Sequence, residues 1–194
     1  MTINNLFEVA ESGNLEQVKS LVEHGENVNL KTDLGWTVLH SAAKSDNLET
    51  VQWLVEHGAK VNAKDWLKMT VLHYAAQNGN REMVQWLIEH GEDVNAKDIS
   101  GCTVLFYAAE SGNLELVKWL VEQGLDVNVK DNDGWTVLHN AVQSGNLKVV
   151  KWLVEHGSDV NAKNDYERSV LDYADDNKDW EIFNWLKEHG ASYY

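Results

Sequence analysis

The phrase "TVLH" and its variants return every 33 residues without slipping. "TVLHSAA" begins at Thr37, "TVLHYAA" at Thr70, "TVLFYAA" at Thr103, "TVLHNAV" at Thr136 and a worn copy, "SVLDYAD", at Ser169. The segments "WLVEHG", "WLIEHG", "WLVEQG" and "WLVEHG" keep the same period, each followed by "VNAK" or "VNVK". A fixed period of this length marks a repeat architecture, in which each unit buries its apolar face only against its neighbours. The 194 residues divide into partial copies at 1–31 and 164–194 and full copies at 32–64, 65–97, 98–130 and 131–163. The expectation is one continuous domain, 1–194.

Each copy reads as two helices and a turn. "TVLHSAAKSDN" places small apolar residues at helical spacing, and "NLETVQWLVEHG" is a second helix with Asn47 as N-cap and Glu49 in its first turn. Asn14, Asn80, Asn113, Asn146 and Asp179 repeat the cap, and a glycine such as Gly58 ends the second helix. The remaining stretch, "AKVNAKDWLKM", is too short for a third helix and reads as an extended turn or hairpin.

This pattern resembles the ankyrin repeat family, whose unit is a β-turn plus two helices with a T-P-L-H-x-A signature. The resemblance spans the chain and implies a mainly α solenoid of stacked helix-turn-helix units with β-hairpin or turn tips. Val38, Val71, Val104 and Val137 stand where the family has proline, and the chain contains no proline. That departure softens each helix start modestly.

Counting ~100° per residue from Leu48, Val51, Leu54 and Val55 share a face, and Trp53 lies away from it. Trp86, Trp119, Trp152 and Trp185 repeat Trp53 as a ladder, which reads either as packing between repeats or as an aromatic stripe for a partner. Ser20 takes the tryptophan place in the first copy, and Gln17 stands three residues earlier where the full copies have Thr50, Met83, Leu116 and Val149, which favours packing against a preceding repeat. Lys187 and Asp175 make the complementary change in the last. Both ends read as solubilising caps.

The formal charge of −15 disfavours nucleic acid, whose phosphates the surface would repel. One cysteine, Cys102, allows no internal disulfide, which fits a reducing compartment. The expected location is the cytoplasm, or a host cytosol for a bacterial protein delivered there. Nothing in the sequence suggests a membrane span.

Eight histidines raise the question of a metal. His24, His57, His90, His156 and His189 end second helices, and His40, His73 and His139 begin first helices. Members of either set sit one repeat apart, on helices ~8–10 Å from each other, too far to share an ion that holds nitrogen at ~2 Å. The helix-end histidines suit the dipole and free carbonyls. By the family resemblance, His40, His73 and His139 bond the backbone of neighbouring loops. No catalytic motif occurs, and the expectation is a chain that is no enzyme and has no cofactor, metal or small-molecule substrate.

Variation between copies gathers at the tips, "TDLGWT", "DWLKMT", "DISGCT", "DNDGWT" and "NDYERS". The family resemblance implies that these tips, with the exposed residues of the first helices on the concave face, contact other proteins. Matched by position, the tip residues are Leu34, Trp36, Trp66, Leu67, Met69, Ile99, Cys102, Trp135, Tyr166 and Arg168. Beside them on the first helices lie Lys44, Tyr74, Gln77, Asn78, Tyr107, Glu110, Asn140 and Gln143. Large apolar side chains clustered on turns suggest contact with a partner, although Trp36 and Trp135 read equally well as packing. Lys68 replaces the glycine found at Gly35, Gly101 and Gly134, so the second tip is expected to be different or strained.

The functional expectation is a monomeric module that binds a protein partner of unknown identity through its concave face and tips. The alternatives are an engineered or idealised scaffold with no natural partner, and a self-associating repeat protein.

Overall fold

The structure, a computed structural model, describes residues 4–193. Among the described residues there are twelve helices, two per copy of the repeat. They group into two compact units, the chain dividing between Ile99 and Ser100. The first unit holds α1 (Asn4–Glu11), α2 (Leu15–Glu23), α3 (Val38–Lys44), α4 (Leu48–Glu56), α5 (Val71–Gln77) and α6 (Arg81–Glu89). The second holds α7 (Val104–Ser111), α8 (Leu114–Glu122), α9 (Val137–Gln143), α10 (Leu147–Glu155), α11 (Val170–Asp176) and α12 (Trp180–Glu188).

Within the first unit α1, α3 and α5 pack in series, and within the second α7, α9 and α11 do the same. Each rests on its own second helix. The architecture is therefore mainly α, with helical pairs stacked in the order of the repeats within each unit. Strand is nearly absent: among the described residues the expected hairpins shrink to isolated bridges, Lys31 to Thr37, Lys130 to Thr136 and Lys163 to Ser169.

The first helices start where the "TVLH" motif places them. The Thr37 hydroxyl accepts from the His40 amide, and His40 Nδ1 accepts from the Thr37 amide at 3.2 Å. This reciprocal cap satisfies two donors that a helix start leaves open. It recurs at Thr136 with His139 and at Ser169 with Asp172. Because Nδ1 accepts, the proton sits on Nε2, which donates to Met69 O in His40 (3.3 Å) and to Arg168 O in His139 (3.2 Å). These two histidines thus tie each helix start to the next tip, as the resemblance implies. Burial makes their charged forms costly and pulls both below the usual imidazole range, His139 to about 4.

The asparagine of "VN" supplies a second stitch. Asn62 Nδ2 donates to Gly91 O at 2.7 Å and its Oδ1 accepts from the Asp93 amide at 3.0 Å. Asn29 does the same with Gly58 and Lys60, Asn128 with Gly157 and Asp159, and Asn161 with Gly190 and Ser192. A side chain of that length and both hydrogen-bonding roles is what this position demands.

Val51 and Leu54 are buried as expected, while Val55 is half-buried. Thr50 and Val149 are buried, whereas Gln17 and Ser20 are exposed in the first copy, and Asp175 and Lys187 are exposed in the last. The tryptophan ladder has a local explanation. Trp53 stacks on His57 at 3.8 Å between ring centroids, and His57 Nδ1 donates to Trp53 O at 2.7 Å. Trp86 with His90, Trp152 with His156 and Trp185 with His189 repeat the stack at the ends of α6, α10 and α12. Among the described residues no helix is long and apolar enough to cross a membrane.

Candidate functional site

The tips are built on one recurring hydrogen-bond pattern. In the second tip Asp65 is buried, and its Oδ1 accepts from the amides of Leu67 and Met69 at 2.9 Å each. Its Oδ2 accepts from the Tyr74 hydroxyl at 2.7 Å, and burial, reinforced by this carboxylate, raises the Tyr74 phenol above its ordinary range. Asp131 holds the amides of Asp133 and Trp135 in the same way, and Asn164 holds those of Tyr166 and Arg168. A short side-chain oxygen gripping the backbone ahead of it forms a compact turn.

Adjacent tips are laced through their backbones. In the first unit the Trp66 amide donates to Leu34 O at 2.8 Å and the Ile99 amide to Leu67 O at 2.7 Å. In the second, Asn132 donates to Ser100 O and Asp165 to Asp133 O, each at 2.9 Å. The side chains at these turns therefore project from an ordered base.

Lys68 keeps the turn of its neighbours: its φ of 59° lies in the same left-handed region as the 75° of Gly35 and the 76° of Gly134. The expected departure at this tip is strain, since a side chain in that region costs about 1–2 kcal/mol. Glu167 does likewise in the last tip, with φ 59°.

The side chains expected to meet a partner separate into two groups. Leu34, Trp66, Ile99 and Tyr166 are 60%, 60%, 49% and 65% exposed. Lys44, Gln77, Glu110 and Gln143 are exposed beside the tips, and Leu67 is half-buried. Met69 is a correction: it is only 6% exposed and offers no surface, its side chain lying in the core while Asp65 holds its amide.

Several others serve the fold. Trp36 is half-buried, its Nε1 donates to Ser41 Oγ at 2.8 Å, and its ring meets Tyr74 edge-on at 5.0 Å. Trp135 is half-buried against Tyr173 at 4.5 Å. The packing reading thus fits both, although Trp36 keeps part of its surface in solvent. Asn78 donates to the carbonyls of Ala43 and Lys44, closing the end of α3, and Asn140 donates to Phe106 O. Cys102 is half-buried with its thiol 3.8 Å from Asp131 Oδ2, and Tyr107 is half-buried. Arg168 lies 4.3 Å from the Tyr173 ring centre and pairs with Asp176.

Leu34, Trp36, Trp66, Thr32 and Lys44 line a groove of about 330 Å³ in the first unit. Sequence reasoning missed Thr32, though it alone breaks the run of Asp and Asn at the head of the tips, opposite Asp65, Asp98, Asp131 and Asn164. It also missed Glu92, which is 4% exposed where the other copies carry Glu26, Ala59, Leu125, Ser158 and Ala191. Neither carboxyl oxygen makes a hydrogen bond of ordinary geometry, although the Thr70 side chain and the Leu72 backbone at the start of α5 favour its charged form. Burial, reinforced by Asp93 and opposed by those neighbours and Lys64, pushes its carboxyl up to about 7.

A family model described as ankyrin repeats matches residues 6–98, 60–131 and 105–194. No curated protein matches the chain.

Proposed function

This chain belongs to the ankyrin repeat family, and from that premise we propose that it is a non-enzymatic module that binds a protein partner through its tips and the adjoining first helices. Proteins of this family generally bind other proteins. The observation that carries the reading here is the exposure of Leu34, Trp66 and Ile99 on ordered turns. Such residues cost solubility and are not needed to form a turn, whereas rigid apolar anchors are what a protein interface uses. Affinity then comes from a few desolvated side chains on a preorganised base, with little ordering cost on binding.

The test compares capture of proteins from lysate by the wild type and by a Trp66→Asp, Ile99→Asp variant, after circular dichroism has established that both fold. Proteins held by the wild type and released by the variant support the reading. An identical retained set for the two would overturn it, and a concentration-dependent mass in light scattering that the variant abolishes would favour self-association instead.

A further inference from the structure

The first tip differs from the others in its chemistry. At the second, fourth and fifth tips, an Asx oxygen accepts two backbone amides, as Asp65 does for Leu67 and Met69. Thr32 occupies that position in the first tip, and the corresponding amides are those of Leu34 and Trp36. Neither of them donates a hydrogen bond to any described residue, although the turn itself is closed by Thr32 N–H to Trp36 O at 2.9 Å and Gly35 N–H to Thr32 O at 2.9 Å. Two donors set in a turn are therefore left for an outside acceptor.

Their surroundings say what kind of acceptor. The same two residues, with Trp66, form the apolar wall of the 330 Å³ groove. Lys44 lines the groove too, with Nζ 5.7 Å from the Trp36 ring centre, and no carboxylate of the described residues pairs with it. Lys31, Lys64 and Lys68 are exposed on or beside the same tips and, with Lys44, outnumber the carboxylates of exposed Asp33 and buried Asp65, so this part of an acidic protein is locally cationic. Two free amides and an ammonium beside indole and leucine complement a negative group carried next to an apolar one.

We propose that the first tip receives an acidic peptide segment, in which a large aliphatic or aromatic residue enters the groove against Leu34, Trp36 and Trp66 while a neighbouring carboxylate accepts the Leu34 and Trp36 amides and faces Lys44. The partner carboxylate performs between molecules what Asp65 performs within its own tip. This rests on the reading that the tips bind protein, and it specifies the sequence character of the bound segment.

The test uses the full chain labelled with ¹⁵N and two probes, acetyl-Leu-Asp-Leu-amide and acetyl-Leu-Lys-Leu-amide. The aspartyl peptide is expected to shift the Leu34 and Trp36 amide resonances saturably, with an affinity about tenfold or more above that of the lysyl peptide. Thr32→Asp supplies the missing oxygen from within and is expected to abolish that response while keeping the fold, because it restores the pattern of the other tips. Lys44→Glu should reverse the preference between the peptides. Equal binding of the two peptides, an unmoved pair of amides, or a Thr32→Asp variant that still binds the aspartyl peptide would each overturn the proposal. A Trp66 indole signal that responds equally to both peptides would overturn the anionic specificity and leave the tip as a protein-binding surface. Failure of that broader reading shows separately, as lysate capture indifferent to Trp66→Asp.

Discussion

Replacing Glu92 with alanine, the residue found at the matching Ala59 and Ala191, is expected to stabilise the first unit at pH 8 and to do little at pH 4. The folded chain holds the Glu92 proton to about pH 7 because burial penalises the carboxylate, whereas the unfolded chain releases it near 4.5. Below 4.5 both states are protonated and the group contributes no pH dependence. Between 4.5 and 7 the folded state binds the extra proton, so stability falls as pH rises, and above 7 the loss is complete. At about 1.36 kcal/mol per pH unit, the full window is worth on the order of 3 kcal/mol. Asp93 adds to the effect, and Lys64 opposes it. His40 titrates in the opposite sense, since its lowered value removes stability as pH falls below 6.5, so the quantity to read is the difference between wild type and variant. Urea unfolding from pH 4 to 8, with amide exchange in α5 and α6, measures it. A difference that stays flat across that range would refute the assignment of Glu92 as a buried, poorly satisfied acid.

Lys68→Gly should stabilise the chain by roughly 0.5–1 kcal/mol, because relief of the left-handed strain at φ 59° outweighs the extra freedom glycine has when unfolded; an unchanged urea midpoint would count against strain at that tip. Asn62→Ala should cost about 1–2 kcal/mol by leaving Gly91 O and the Asp93 amide without their partner, and faster exchange of the Asp93 amide would localise the loss. His139 is depressed to about 4 by burial, so it withdraws stability from the second unit as pH falls from 6.5 toward 4, up to about 3 kcal/mol. His139→Gln should flatten that limb in acid unfolding curves, at some cost in stability at neutral pH.

The helices were legible because their signals are local and repeated. Thr37 with His40 and Asn47 ahead of Leu48 announce two helix starts, and the same pairs return one period later. Asn62 was visible only as a constant letter, since its partners Gly91 and Asp93 lie about thirty residues away and depend on the stacking of repeats. Met69 misled because composition alone cannot show which way a turn residue faces. Asp65 gathers the amides of Leu67 and Met69 on one oxygen, yet the first side chain stays half-buried and the second enters the core. Glu92 was hidden by its own position, which carries Glu26, Ala59, Leu125 and Ser158 in other copies and so has no consistent polarity.

Exposed area alone would rank Tyr166, at 65%, above Trp66, at 60%, but the polar ends of the two side chains differ. The Tyr166 hydroxyl already donates to Asp133 at 3.4 Å, and exposed Asp165 and Glu167 flank it, so covering this ring means desolvating carboxylates as well. Trp66 stands on a backbone amide fixed to Leu34 O and shares its groove with two apolar side chains. Burying its indole removes apolar surface from water without stranding a charge, which is the usual setting of an interface hot spot. For the captured partner, Trp66→Ala should therefore weaken binding by about 2 kcal/mol or more and Tyr166→Ala by less than about 1. Calorimetry on the two variants decides the matter, and a larger loss at Tyr166 would move the centre of recognition into the second unit.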